Sequence, residues 1–261
     1  MSTPATESAI VSRLRAAGCV FAEDEARLIL ATAPTSADAS AMADRRASGL
    51  PLEHVLGWAE FRGLRIAVEP GVFVPRRRTE FLVGLAAALA PPRPVVVDLC
   101  CGSGALGAAL AAGLDGEYVL HAADVEPAAV RCARRNIAPF GGHAHEGDLF
   151  APLPAALRGR VDVLLANVPY VPTGDVATLP AEARDHEPRV ALDGGPDGLD
   201  VLRRVTAGAP RWLAPGGRLL FETSERQVPD AVAAVERTGL AAAVETSEEF
   251  SATVIVAAKP V

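Results

Sequence analysis

The chain has 261 residues, half of them hydrophobic and 22% charged, which suits a sizeable core and excludes a disordered chain. Its net charge of −7 argues against direct duplex-DNA binding, because phosphate neutralisation by a basic face supplies most of such a protein's affinity. The one dense basic run is Arg76-Arg77-Arg78, no apolar run reaches the roughly 18–20 residues that cross a bilayer, and no apolar leader opens the chain, so no membrane partner is expected.

Residues 5–50 read as three short helices. Ile10, Leu14 and Ala17, then Ala26 and 28–30, recur at helical spacing. Pro34-Thr35-Ser36 breaks the pattern, and Ser36 is placed to cap a third helix running to Gly49. Residues 57–75 set Trp58, Phe61, Ile66 and Phe73 among Gly63, Pro70 and Gly71, a hairpin-like connector. Residues 79–90 form an apolar helix that Pro91-Pro92 stops. Strands and helices then alternate: strand 95–99, helix 104–113, strand 118–124, helix 127–137, a weak strand 143–146 and strand 161–166. A long loop, 167–196, precedes helix 197–210, strand 217–222 and helix 226–238. The last two runs, 240–246 and 250–257, are too close for a helix between them and must pair antiparallel. This alternation implies an α/β fold with a doubly wound parallel sheet. The organisation is a helical bundle at 1–56, a hairpin linker at 57–76 and the α/β domain at 77–261.

The turn after the first strand of that domain reads Asp98-Leu99-Cys100-Cys101-Gly102-Ser103-Gly104-Ala105-Leu106-Gly107. Gly102, Gly104 and Gly107 satisfy GxGxxG, and Asp124 lies 20 residues beyond Gly104. That spacing also describes a dinucleotide site. Asp98 weighs against one, since a carboxylate beside the loop repels a pyrophosphate on the helix N-terminus. It favours a cationic, phosphate-free nucleoside such as S-adenosylmethionine. Asp124 offers two acceptor oxygens to a ribose diol. Cys100 and Cys101 read as small packed residues rather than nucleophiles. With Cys19 and Cys132 they form no CxxC pair, and all four read as reduced thiols of a cytoplasmic protein.

Asn167-Val168-Pro169-Tyr170 directly follows the strand at 161–166, where a loop of a doubly wound sheet faces the ligand crevice. It resembles the Asn/Asp-Pro-Pro-Tyr/Phe turn of amino methyltransferases. An amide nitrogen is a poor nucleophile because its lone pair is delocalised, so it needs orientation more than a base. The Asn167 Oδ1 and the Val168 carbonyl can each hold one N–H, which aims the lone pair at a methyl group. Pro169 stiffens the turn and keeps residue 168 extended, and Tyr170 can pack on the planar amide. Placement and electrostatics then carry the chemistry.

Further segments match one family. Residues 49–57 and 60–64 resemble the linker of the protein-glutamine N5-methyltransferases, the HemK/PrmC family, and 74–80 resembles its Pro-Arg-Pro-x-Thr-Glu segment. Glu187-Pro188-Arg189 and residues 191–199 resemble its signature after the catalytic turn. The resemblance implies a class I Rossmann-like fold, a mostly parallel seven-stranded sheet with a terminal antiparallel hairpin. It implies S-adenosylmethionine as donor, S-adenosylhomocysteine as product, and the Gly-Gly-Gln glutamine of a peptide-chain release factor as acceptor. It further implies that Asp98, Cys100, Cys101, Gly102, Ser103 and Gly104 line the methionine part of the donor. Asp124 would take the ribose, Asp148 and Leu149 the adenine, with Val125 a further contact of the donor. Asn167 to Tyr170 would hold the amide, with Asn167 also touching the donor. Arg76 and Glu80 would shape the entrance, and the bundle would present the protein substrate. Cys100 stands where the family has glycine, Val168 where it has proline, and Glu222-Thr223-Ser224 where it has Glu-Ile-Gly. These are the marks of a divergent member.

The alternatives are a paralogue acting on another protein or a small amide or amine, a nucleic-acid amino methyltransferase that flips a base, an inactive donor-binding regulator, and a nicotinamide oxidoreductase. His143 and His145 share one face of a short strand without further metal ligands, and no metal is expected. Trp58 and Trp212 read as core anchors.

Overall fold

The computed structural model describes residues 6–261, so the first five residues, where the expected bundle begins, lie outside the described residues. Helices α1 (Glu7–Ala16), α2 (Ala22–Thr32) and α3 (Ser36–Ala47) bury Ile10, Leu14, Ala26, Ile29, Ala39 and Ala43 against one another. The cap of α3 is Thr35 rather than Ser36: the Thr35 hydroxyl accepts the Asp38 N–H at 3.1 Å, and Ser36 is already helical. A fourth helix, α4 (Leu52–Leu56), was not expected. At little more than one turn it is too short to display a period. Strands β1 (Trp58–Phe61) and β2 (Leu64–Ala67) make the antiparallel hairpin, and a 3-10 turn at Arg77–Thr79 leads into α5 (Glu80–Leu89).

The runs without polar alternation are strands buried on both faces. β3 (Val95–Leu99), β4 (Val119–Asp124), β5 (His143–Glu146), β6 (Val161–Ala166), β7 (Leu213–Thr223), β8 (Ala241–Ser247) and β9 (Ala252–Ala258) form one sheet. Its order is β5-β4-β3-β6-β7-β9-β8, parallel from β5 to β7 and antiparallel on both sides of β9. One face packs Val96, Leu120 and Leu165 under α5, α6 (Ala105–Ala112) and α7 (Pro127–Ile137). The other packs Val97, Leu164 and Phe221 under α9 (Asp200–Trp212) and α10 (Val228–Glu236). Trp212 stacks on Phe150 with ring centroids 5.5 Å apart, whereas Trp58 packs at the edge of the N-terminal helical cluster.

Residues 167–196, expected as an unbroken loop, carry three short helical turns. They are Thr173–Thr178, α8 (Ala181–His186) and Arg189–Ala191, each preceded by a proline. Proline fixes φ for the chain entering a helix, but segments this short leave no periodic signal. On the sheet's far edge the expected pair His143 and His145 gains a third imidazole. His121 Nδ1 lies 2.9 Å from His145 Nε2, and its ring sits 5.3 Å from that of His143. Burial, then the neighbouring rings, lowers the His121 pKa to about 4, so it is neutral in the fold.

Gly104 turns left-handed at φ +76, and a Cβ there would stand 2.9 Å from the Ala133 Cα of α7. The same residue change at Gly116, φ +84, meets nothing within 4 Å. Gly116→Ala should therefore cost about 1 kcal/mol of backbone strain, while Gly104→Ala adds overpacking for roughly 2–4 kcal/mol in all. Equal melting-temperature losses in thermal unfolding would contradict the α6–α7 contact as the reason for this glycine.

Candidate active site

Strand addition reverses at β3, with β4 and β5 on one side of it and β6 and β7 on the other. Ligands of doubly wound sheets lie at such a point, beyond the carboxyl ends of the strands. A cavity of about 630 Å³ opens there, within the roughly 300–1,000 Å³ of small-molecule sites. Cys100 and Gly102 line it after β3, Asp124 and Val125 after β4, Asp148 and Leu149 after β5, and Asn167 to Tyr170 after β6.

Asp124 organises the glycine loop. Its Oδ2 accepts the Gly102 N–H at 2.8 Å and its Oδ1 the Glu126 N–H at 2.9 Å. A carboxylate has about four acceptor sites, so each oxygen keeps a lone pair for a further donor. Burial pushes its pKa up, and the backbone bonds oppose the shift. Cys100 adopts φ +53 and Leu149 φ +48, left-handed conformations that cost an L side chain roughly 1–2 kcal/mol. Both strained residues line the cavity. Burial, then Asp124, pushes the Cys100 thiol well above its ordinary pKa, and burial, then Asp98, does the same to Cys101. Both stay protonated and unsuited to nucleophilic attack.

Five expected site residues are placed elsewhere. Asp98, 1% exposed, sits behind the loop, where its Oδ2 caps α6 by accepting the Gly107 N–H at 2.9 Å. Cys101 is buried, and so is Ser103, whose carbonyl accepts from Asn136 Nδ2 at 2.8 Å. Gly104 serves the α6–α7 contact. None of the four lines the cavity: Cys101 and Ser103 alternate with the lining Cys100 and Gly102, Asp98 is turned to α6, and Gly104 is pressed against Ala133 of α7. Glu80 is also remote: its carboxylate accepts the Arg62 N–H at 3.3 Å and its carbonyl the Arg62 guanidinium at 3.0 Å, tying the hairpin to α5.

Arg76 does line the cavity, held at 2.6 Å by the buried Glu187, which also accepts the Val74 N–H at 3.1 Å. Glu187 belongs to a segment matched as a signature, yet nothing in its spacing marked it as a wall residue. Two further wall contacts were missed. Arg204 pairs with Asp148, and Arg46 bridges the buried Glu25 of α2 at 2.7 Å and Glu182 of α8 at 2.5 Å.

The turn after β6 is pinned on both flanks. The Tyr170 carbonyl accepts from Gln227 Nε2 at 2.9 Å, and the Tyr170 hydroxyl donates to Glu222 at 3.0 Å. Gly198, at φ +78, lies so close that a Cβ would stand 2.3 Å from the Tyr170 carbonyl oxygen. Two groups are left free. Among the described residues, neither the half-buried Asn167 side chain nor the Val168 carbonyl has a hydrogen-bond partner. Burial, then Glu222, pushes the Tyr170 phenol well up, so it is no base at working pH.

A family model described as a methyltransferase small domain matches residues 63–183. The release factor glutamine methyltransferase of Geobacter sulfurreducens is 41% identical over 197 residues, 75% of this chain and 68% of that protein. The enzyme of that name from Bradyrhizobium diazoefficiens is 34% identical over 241 residues, 84% of this chain and 81% of that protein. The chain belongs to the release factor glutamine methyltransferase family. The Mycolicibacterium smegmatis member is 44% identical, over 70% of this chain and 66% of its own length. Among solved structures, a Pyrococcus furiosus methyltransferase aligns with TM-score 0.56 and 17% identity, over 76% of this chain and 90% of that one. The ribosomal protein L11 methylase of Lactobacillus delbrueckii subsp. bulgaricus aligns with TM-score 0.52 and 17% identity, over 71% of this chain and 81% of that one. These two share the class I methyltransferase fold.

As a member of this family the chain is a methyltransferase, and S-adenosylmethionine is its donor. The cavity fits that molecule. The three arginines that line it, Arg76, Arg78 and Arg204, are paired with Glu187, Glu222 and Asp148, so among the described residues every lining arginine already has its counter-charge and none is held in reserve for a phosphate. Asp98 Oδ1 is a buried oxygen without a partner, negative charge held behind the loop that a cation offsets. Burial, offset by the Gly107 bond and reinforced by Asp124, raises the Asp98 pKa to about 7. A raised carboxyl stabilises the fold below its unfolded pKa of about 3.9, and that stability is lost as pH rises to about 7. His121 titrates with the opposite sign over the same window, so the informative quantity is the difference between Asp98→Asn and the parent. Denaturant unfolding should show the variant gaining about 1 kcal/mol per pH unit between pH 4 and 7, with weaker S-adenosylhomocysteine binding at pH 8. A pH-independent difference would contradict the buried, uncompensated carboxyl.

Proposed function

We propose that the chain transfers a methyl group from S-adenosylmethionine to the N5 side-chain amide of a glutamine in a peptide-chain release factor. The observation that carries this reading is the pair of unclaimed acceptors, Asn167 Oδ1 and the Val168 carbonyl, on one turn of the cavity wall. An NH2 group has two hydrogens, and two acceptors take both. The nitrogen lone pair is then set toward the methyl group, the carbon–sulfur bond breaks with its electrons going to sulfur, and the acidic methylated amide loses a proton to water. No residue need act as a strong base, in keeping with a Tyr170 phenol that stays protonated. Asp124 takes the ribose hydroxyls with its free lone pairs, Val125 and Leu149 flank the purine, and Asp148, oriented by Arg204, meets the adenine edge. Cys100 and Gly102 border the methionine part, and Asp98 acts on it through charge from behind the loop.

The names of the relatives favour this acceptor over a nucleic acid or a small amine. The helices at 6–56 present the protein substrate, and Pro51 and Glu53 already reach the cavity. Four free thiols support a reducing, cytoplasmic setting.

Asn167→Ala should keep S-adenosylhomocysteine affinity within a few-fold and lower kcat by roughly 100-fold or more, the scale of a lost orienting contact. Incubating release factor with the parent enzyme and donor should give a Gly-Gly-Gln peptide heavier by one CH2 in mass spectrometry. An unmodified peptide would assign the enzyme another acceptor, and an active Asn167→Ala would remove the clasp.

A further inference from the structure

We propose that Glu222, which nothing in the family resemblance assigns, is a positioning residue for methyl transfer, acting through the Tyr170 hydroxyl. The inference rests on the reading of Asn167 to Tyr170 as the amide clasp.

Glu222 is the penultimate residue of β7, one beyond Phe221, which pairs with Ala166, the last residue of β6. It is 3% exposed, and three donors from two segments, the turn at Arg77–Thr79 and the turn after β6, converge on its carboxylate. Oε1 accepts from the Tyr170 hydroxyl at 3.0 Å and pairs with Arg78 Nε at 2.7 Å, while Oε2 accepts from Thr79 Oγ1 at 2.8 Å. Arg78 also donates to the Tyr170 hydroxyl. Arg78 and Tyr170 line both the main cavity and a second one of about 360 Å³ behind them, whereas Glu222 lines only the second. Glu222 therefore touches neither donor nor acceptor in the main cavity. It fixes the partition.

A buried carboxylate with this much desolvation contributes little net stability over an apolar replacement. What it does contribute is direction: a planar acceptor that holds the phenol of Tyr170 from behind. Without it the hydroxyl keeps only the Arg78 guanidinium, whose side chain is 47% exposed. The ring then has more than one resting position, and so does the turn that carries Asn167 and Val168. Misplacement of about 1 Å costs roughly 100-fold in rate, so kcat is the sensitive quantity and donor affinity is not.

The test is a double-mutant cycle on the full chain with Glu222→Met, which removes the acceptor at similar length, Tyr170→Phe and the double variant. Each is read for kcat and KM with release factor, S-adenosylhomocysteine Kd and melting temperature. Each single change should lower kcat about 10–100-fold with Kd within about twofold of the parent, and the double variant should be no worse than the poorer single, because both remove one contact. Full kcat in Glu222→Met, multiplying losses in the double, or a loss of donor affinity as large as the loss of kcat would overturn the proposal. If Glu222→Met folds poorly, Thr79→Val removes one of the three donors to the carboxylate and should move kcat alone, to a smaller extent. An unchanged kcat there would count against the proposal. Tyr170→Ala separates the two readings: full activity in it would sink the clasp itself, while an inactive Tyr170→Ala beside a fully active Glu222→Met would sink only the role of Glu222.

Discussion

Two hydrogen-bond acceptors, the Asn167 side-chain oxygen and the Val168 carbonyl, must stay empty in a turn whose last residue, Tyr170, is bonded through both its carbonyl and its hydroxyl. Backbone carbonyls seldom go unpaired in buried surroundings, and a free side-chain amide will find a local partner if the chain can bend to reach it. The structure prevents that by immobilising the turn after β6 from outside. Pro169 fixes one dihedral, Gln227 and Gly198 close on the Tyr170 carbonyl, and Glu222 takes the hydroxyl. Much of the residue 191–199 signature follows from this. The chain there runs against the turn closely enough that a Cβ at Gly194 would stand 2.6 Å from the Pro169 carbonyl oxygen.

The donor side is built on a complementary electrostatic constraint. Asp98 and Asp124 are brought together by β3 and β4, and among the described residues no basic side chain bonds to either. Each is partly satisfied by backbone N–H groups, and one Asp98 oxygen is not satisfied at all. Such a loop is unfavourable on its own and suited to a bound positive charge. The strained Cys100 and Leu149 at its borders fit the same pattern of stability given up where binding occurs. Cys100 holds a left-handed backbone of the kind glycine adopts without cost, and Gly102 still reaches the cavity.

Alternation of apolar strands and amphipathic helices made the sheet legible, down to helix 127–137 and strand 161–166, because burial on both faces leaves an unbroken signal in the residues. The terminal antiparallel pair followed from chain length alone. Elements of one or two turns, α4 and α8 among them, were invisible because a period needs several repeats to appear. At the site, the sequence pointed to groups adjacent along the chain that also line the cavity: Cys100 with Gly102, Asp124 with Val125, and the turn at 167–170. It misdirected Asp98, Ser103 and Glu80, since spacing within a turn does not say which side a residue takes. It gave Glu222 no role beyond a match to the family's Glu-Ile-Gly, since Glu222 is 52 residues from Tyr170 and 143 from Thr79, and contacts closed by the sheet register have no local signature. One clue was available: Glu222 lies one residue from the carboxyl end of a central strand, and such ends face the crevice.

The central claim concerns a geometry, and a crystal structure of the chain with S-adenosylhomocysteine and a glutamine peptide measures it directly. The side-chain nitrogen of the glutamine should lie about 3 Å from both Asn167 Oδ1 and the Val168 carbonyl oxygen, with the cofactor sulfur on the line of its lone pair. A glutamine held by other groups, or Asn167 turned back onto the protein with the peptide bound, would contradict the account.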